Sequence, residues 1–183
     1  MRLATWNVNS IKARLDAVLA WMDETRPDVL ALQEIKCVDD SFPRLEFEAK
    51  GYHTLVAGQK SYNGVALISR HPFEDPHIGL DGDPTDEQAR YIEATVKGIR
   101  LASIYLPNGN PMGTEKFSYK MSWMDRLHAR AKALLQDGAP TALMGDFNVI
   151  PEPEDCYSPS AWHGDALFQP ETRAKFRALC WLG

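Results

Sequence analysis

Pro27-Asp28-Val29-Leu30-Ala31-Leu32-Gln33-Glu34-Ile35-Lys36 is the stretch on which the fold turns. Pro27 stops the helical pattern before it, and the apolar run after Asp28 is too short for a helix, so residues 28–33 are expected as a buried strand whose end delivers Glu34. Upstream, residues 2–8 alternate with β-forming side chains, and Asn9-Ser10 is a helix N-cap signal. Ile11, Leu15, Val18, Leu19 and Met22 then recur on one face of a helix, with Lys12, Asp16 and Asp23 pointing away. The order is strand, helix, strand, the second strand returning beside the first.

Downstream, residues 52–58, 64–70, 91–97 and 99–106 read as short strands of a β-meander, parted by turn-rich text such as Lys60-Ser61-Tyr62-Asn63-Gly64. Helical period returns over 115–136 with Phe117, Met121, Met124, Leu127, Ala131 and Leu135, and Asp137-Gly138 is the stop. Residues 140–147 give another buried strand, a proline-rich loop runs to Pro159, and a last helix is expected over 170–179. This order suggests a sheet-rich α/β sandwich with helices outside. Neither GxGxxG nor GxxxxGK[ST] occurs, so the dinucleotide and P-loop readings have no support.

The chain has 183 residues, 44% of them hydrophobic, and a formal charge of -5. One domain of this size buries roughly 70% of its unfolded surface and needs no staples. No apolar run approaches the roughly 20 residues of a membrane helix, so no membrane association is expected. The N-terminus has no signal core, which gives a cytoplasmic expectation, and Cys37, Cys156 and Cys180 fit it as reduced small hydrophobes. The acidic balance argues against wrapping nucleic acid with the whole surface, but leaves room for a local basic rim and for carboxylates gathered at a divalent metal.

Four polar residues stand at the ends of apolar strands: Asn7, Glu34, Asp146 and Asn148. Singly, each is an ordinary turn or cap former. Together, two carboxylates and two carboxamides at one rim of a sheet offer hard oxygens to Mg²⁺ or Mn²⁺ and donors to a phosphate. Zinc is a poor alternative, since His53, His71, His77, His128 and His163 show no paired spacing, and a GxSxG nucleophile elbow is missing.

The segments WNVNSIKAR (6–14), PDVLALQEIK (27–36), GQKSYNGVALISR (58–70), ARYIEA (89–94), IYLPNGNP (104–111) and LMGDFNVIP (143–151) resemble, in order and spacing, exonuclease III and its apurinic/apyrimidinic endonuclease relatives. That family sits within the endonuclease/exonuclease/phosphatase superfamily. The resemblance implies a four-layer αββα sandwich of two packed, mainly antiparallel sheets with outer helices, incomplete at the C-terminus. Residues 1–183 would form a single domain, truncated relative to the family and monomeric when complete. It implies a phosphodiesterase dependent on Mg²⁺, with Mn²⁺ as substitute, that acts on double-stranded DNA at abasic sites and from 3′ ends in base excision repair.

Residue by residue, the resemblance makes Glu34 the principal metal ligand with Asn7, Asp146 and Asn148 around it. Tyr105 would contact the scissile phosphate, Asp146 would handle the proton of the water or the leaving group, and Asn148 would steady the phosphate. Lys12, Arg14, Lys36, Lys60, Asn63, Arg90 and Asn108 fall in matching segments as DNA-binding candidates of the rim. Trp162 and Trp181 would pack in the core or wall a flipped sugar. The family's closing Ser-Asp-His motif does not occur, so residues 1–183 alone are expected to be an impaired half-site with an unpaired sheet edge. Two other readings stand beside this one: a noncatalytic DNA- or metal-binding fragment, and a small-substrate phosphatase of the same superfamily.

Overall fold

A computed structural model describes all residues, Met1–Gly183. The chain divides into two compact units, one of residues 1–105 with 139–146 and one of residues 106–138 with 147–183.

The first unit holds every strand. β1 (Leu3–Asn7) leads through α1 (Ile11–Thr25) to β2 (Val29–Gln33), which pairs with β1 in parallel. Ser10 caps α1 by accepting from the Ala13 N–H at 3.4 Å, and Arg26 ends it in the left-handed region ahead of Pro27. β3 (His53–Ala57) and β4 (Val65–Ser69) complete a first sheet of order β1-β2-β4-β3. β5 (Glu74–Ile78), β6 (Tyr91–Val96), β7 (Ile99–Tyr105) and β8 (Thr141–Asp146) follow in chain order in the second sheet. Four of the six strand pairs are antiparallel, and β1/β2 and β7/β8 are parallel.

Two apolar layers hold this unit. Ile11, Val18 and Met22 of α1 and Phe47 of the short helix α2 (Arg44–Glu48) bury against Leu30, Leu32, Ala66 and Ile68 of the first sheet. On the sheet's other side, Val29, Ala31, Val65 and Leu67 face Ile92, Ala94, Val96 and Leu101 of the second. β2 and β4 are therefore buried on both faces, which is why they read as continuous apolar runs. Within this apolar interface, the Gln33 Nε2 donates to Ser103 Oγ at 3.0 Å, and Ser103 Oγ donates to the Leu32 carbonyl at 2.9 Å. One buried polar link thus ties β2 to β7.

The second unit contains α3 (Glu115–Asp137), α4 (Pro170–Cys180) and three 3₁₀ turns, Pro153–Asp155, Pro159–Trp162 and Ala166–Phe168. Thr114 and Gly138 cap α3. Phe147 meets Phe176 edge-on at 5.6 Å, and Arg173 and Arg177 reach Glu152 at 3.1 and 2.5 Å.

The sandwich of two mainly antiparallel sheets agrees with the sequence reading. Five details differ, the first being that β8, expected as a buried strand, is only half-buried along its length. The middle strands are not one meander, because β3 and β4 join the first sheet and β6 and β7 the second. β5 was missed because Glu74-Asp75-Pro76-His77 is charged and carries a proline, which an edge strand with an irregular register tolerates. The buried stripe of α3 is rotated from the expected one: Lys120, Trp123, Leu127 and Leu134 lie inside, and Leu135 is 45% exposed. Trp181 is 80% exposed and packs in no core.

Ser103→Ala leaves the Gln33 amide short of a buried acceptor, so it is expected to lower the unfolding free energy by about 1–3 kcal/mol. Urea unfolding measures it, and an unchanged midpoint would remove this link from the account of how the sheets hold together.

Candidate active site

In the first unit, Asn7, Glu34, Tyr105 and Asp146 come from the ends of β1, β2, β7 and β8. Backbone hydrogen bonds carry the β1/β2 register past the strands themselves: Val8 N to Gln33 O at 3.0 Å, Ser10 N to Glu34 O at 2.7 Å and Ile11 N to Ile35 O at 3.1 Å. Glu34 and Lys36 are held at positive φ, 52° and 53°, and Asn9 at 42°, an accumulation of unfavourable backbone that a well-tied loop can sustain. Gly145 serves the same end on β8, since a Cβ there would lie 2.0 Å from the Ile104 carbonyl oxygen. Only glycine lets β8 pass β7 this closely just before Asp146.

The Asn7 amide is the centre of the arrangement. Its Nδ2 donates to Glu34 Oε1 at 2.8 Å and to Asp146 Oδ2 at 2.9 Å, and its Oδ1 accepts from the Asn9 N–H at 3.1 Å. Both amide hydrogens are committed, and two carboxylates are drawn to one group. Lys36 Nζ lies 3.0 Å from Glu34 Oε2 and also donates to Asn9 Oδ1. For Glu34, burial opposes ionisation most, yet hydrogen bonds from Asn7, Lys36 and Tyr105 together outweigh it and hold the carboxyl below its usual range. Tyr105 is pushed up to about 12 by burial first, then by the charge and hydrogen bond of Glu34. At neutral pH it is a phenol that donates.

Arg90 stacks on Tyr105, its guanidinium 4.7 Å from the ring centroid, and donates to the Tyr105 carbonyl at 3.2 Å and to Gln88 Oε1 at 2.7 Å. It orients the tyrosine. Asn63, 8% exposed, donates from its amide to Gln59 at 2.9 Å and to Gln88 at 3.4 Å, and so braces the loop that its carbonyl joins to Lys36. Lys12, Arg14 and Lys60 are exposed, Arg14 donating to the Asn9 carbonyl at 2.6 Å. In the second unit, Asn108 is exposed, and Asn148, at φ 45°, donates from Nδ2 to the Leu106 carbonyl at 2.8 Å. Gln33, Gln59, Gln88 and Ser103, which support these groups, were not singled out by sequence; only Gln33, a lone amide in an apolar strand, left a signal.

The donor set suits a hard divalent cation. Glu34 and Asp146 present carboxylate oxygens to the same Asn7 amide. That matches Mg²⁺, which keeps several waters and takes one or two carboxylates plus phosphate oxygens.

The sequence model of the Endonuclease/Exonuclease/phosphatase family matches residues 4–181. The chain belongs to this family. Among family relatives, exodeoxyribonuclease III of Haemophilus influenzae is 31% identical over 98% of this chain and 71% of its own length. The DNA repair nuclease APEX1 of Danio rerio is 29% identical over 98% of this chain and 59% of its own. Two solved structures overlay on all of it: an AP endonuclease of Archaeoglobus fulgidus (TM-score 0.95, 37% identical, 71% of that chain) and a 3′ phosphatase, NExo, of Neisseria bound to a product DNA hairpin (TM-score 0.97, 39%, 71%). Family nucleases are generally dependent on divalent metal. No helix of the chain is long and apolar enough to cross a membrane.

Mn²⁺ or Mg²⁺ at about a hundred times its dissociation constant is expected to raise the unfolding free energy by about 2.7 kcal/mol, and EDTA to reverse it. Glu34→Gln and Asp146→Asn should each erase the shift in a thermal melt. A full shift in Glu34→Gln would place the cation elsewhere.

Proposed function

We propose that this chain is a DNA-repair nuclease: a Mg²⁺-dependent phosphodiesterase that acts on double-stranded DNA at abasic sites and from 3′ ends. The observation that carries it is the Asn7 amide shared by Glu34 and Asp146, with the Tyr105 phenol hydrogen-bonded to Glu34. The family match over residues 4–181 supports reading the chain as one domain of that family, and the DNA-repair names of its relatives support the substrate. A cytoplasmic location accords with three free cysteines.

Hydrolysis adds a water oxygen to phosphorus, breaks the bond to one sugar oxygen and moves a proton to the departing alkoxide. Glu34 holds the cation, and Mg²⁺, when bound, supplies Lewis-acid stabilisation of charge on the phosphate oxygens. Asn7 fixes the two carboxylates against each other. Tyr105 turns its hydroxyl hydrogen from Glu34 to a nonbridging oxygen as a hydrogen-bond donor and stays protonated, as its raised pKa of about 12 requires. Asp146 handles the proton of the water or of the leaving oxygen, and Asn148, two residues on, steadies the phosphate. Lys12, Arg14, Lys60, Asn63, Arg90 and Asn108 grip backbone phosphates, and Arg90 and Asn63 also hold Tyr105 and the Lys36 loop in place.

In the full-length protein, a duplex with one abasic site should be cut in Mg²⁺, and an intact duplex interior and inositol phosphates should not. Cleavage of inositol phosphates alone would favour the small-substrate reading, and DNA binding without cleavage the noncatalytic one. Tyr105→Phe should lower kcat by about 10²- to 10³-fold with little loss of DNA affinity, since the ring stays and the donor goes. A change confined to KM would contradict that role.

A further inference from the structure

Lys120 lies in the second turn of α3 with 0% of its surface exposed. A buried ammonium is tolerated only where it is well hydrogen-bonded, and this one donates to the main-chain carbonyls of Asn108 at 3.0 Å and Asn148 at 2.6 Å. The two carbonyls belong to the loops that leave β7 and β8, three residues after Tyr105 and two after Asp146. The same loops are joined by the Asn148 amide on the Leu106 carbonyl at 2.8 Å. Gly109 seats the first loop on the lysine stem: at φ +89°, a Cβ there would lie 2.7 Å from Lys120 Cδ and 3.1 Å from Ala166 Cβ.

We propose that Lys120 is a positioning residue for phosphodiester hydrolysis. Its ammonium pins the Asn108 and Asn148 loops to each other through main-chain carbonyls without meeting the substrate. Three donors at the end of a flexible stem can serve two carbonyls at once, whereas a side chain of similar length without donors removes both bonds. The assignment rests on the nuclease reading above, because only a phosphate-steadying Asn148 turns loop geometry into rate.

The test uses the full-length protein with Lys120→Met, Gly109→Ala, Asn148→Ala and the double variant Lys120→Met/Asn148→Ala, assayed on abasic duplex in Mg²⁺. Lys120→Met should lower kcat by about 10²-fold with KM little changed, and Gly109→Ala should act in the same direction with the lysine in place. The double variant should be no slower than Asn148→Ala, because the lysine acts through that loop. Hydrogen exchange should quicken at residues 106–110 and 147–150 in Lys120→Met while 123–134 of α3 stay protected. Unchanged kcat, multiplied losses in the double variant, or lost protection along α3 would each overturn the proposal. If Lys120→Met does not fold, Gly109→Ala decides: wild-type kcat and exchange would overturn it. A wild type that cuts no abasic duplex would refute the nuclease reading, and the exchange experiment would still judge the tie between the loops.

Discussion

Two carboxylates held by one amide form the constraint on which the rest of the first unit depends. Glu34 and Asp146 repel each other when both are ionised, and Asn7 offers each a hydrogen, at 2.8 and 2.9 Å. To bring these groups together, the end of β1 must stand between the ends of β2 and β8, which belong to different sheets. The packed interface of Val29, Ala31, Val65 and Leu67 against Ile92, Ala94 and Leu101 fixes that approach, and the Gln33–Ser103 link sets it next to Glu34. The core thus positions the chemistry.

The supporting groups follow the same logic of committed hydrogen bonds. Lys36 anchors the second oxygen of Glu34, and Arg90 anchors Tyr105 by its ring and its carbonyl. A carboxylate with donors on both oxygens and a tyrosine clamped above neutral titration are prepared for a charged phosphate before it arrives. Such preorganisation is where enzymes that stabilise developing charge gain most of their rate.

Much of this was legible in the sequence because strand ends are. An apolar run such as Val29 to Leu32 has one plausible structure, and the polar residue that ends it must lie at a sheet rim, so Asn7, Glu34 and Asp146 could be named early. The supporting groups were not legible. Arg90 and Asn63 read as DNA-binding candidates, and nothing in their segments announces the Tyr105 ring beneath Arg90 or the Gln59 and Gln88 that brace Asn63. Lys120 was hidden by its own chemistry: a period rule places lysine outside and Leu135 inside, and the packing of α3 reverses both. β5 escaped for a similar reason, since an edge strand need not look like a buried one.

The central claim is that Glu34 and Asp146 meet at a divalent cation. A crystal of the full-length protein grown with Mn²⁺ and measured for anomalous scattering tests it directly. The account predicts one strong peak at about 2 Å from a Glu34 carboxylate oxygen, beside Asp146 and ligated by oxygen atoms. A peak coordinated by other residues, with Glu34 and Asp146 still joined only through Asn7, would contradict it.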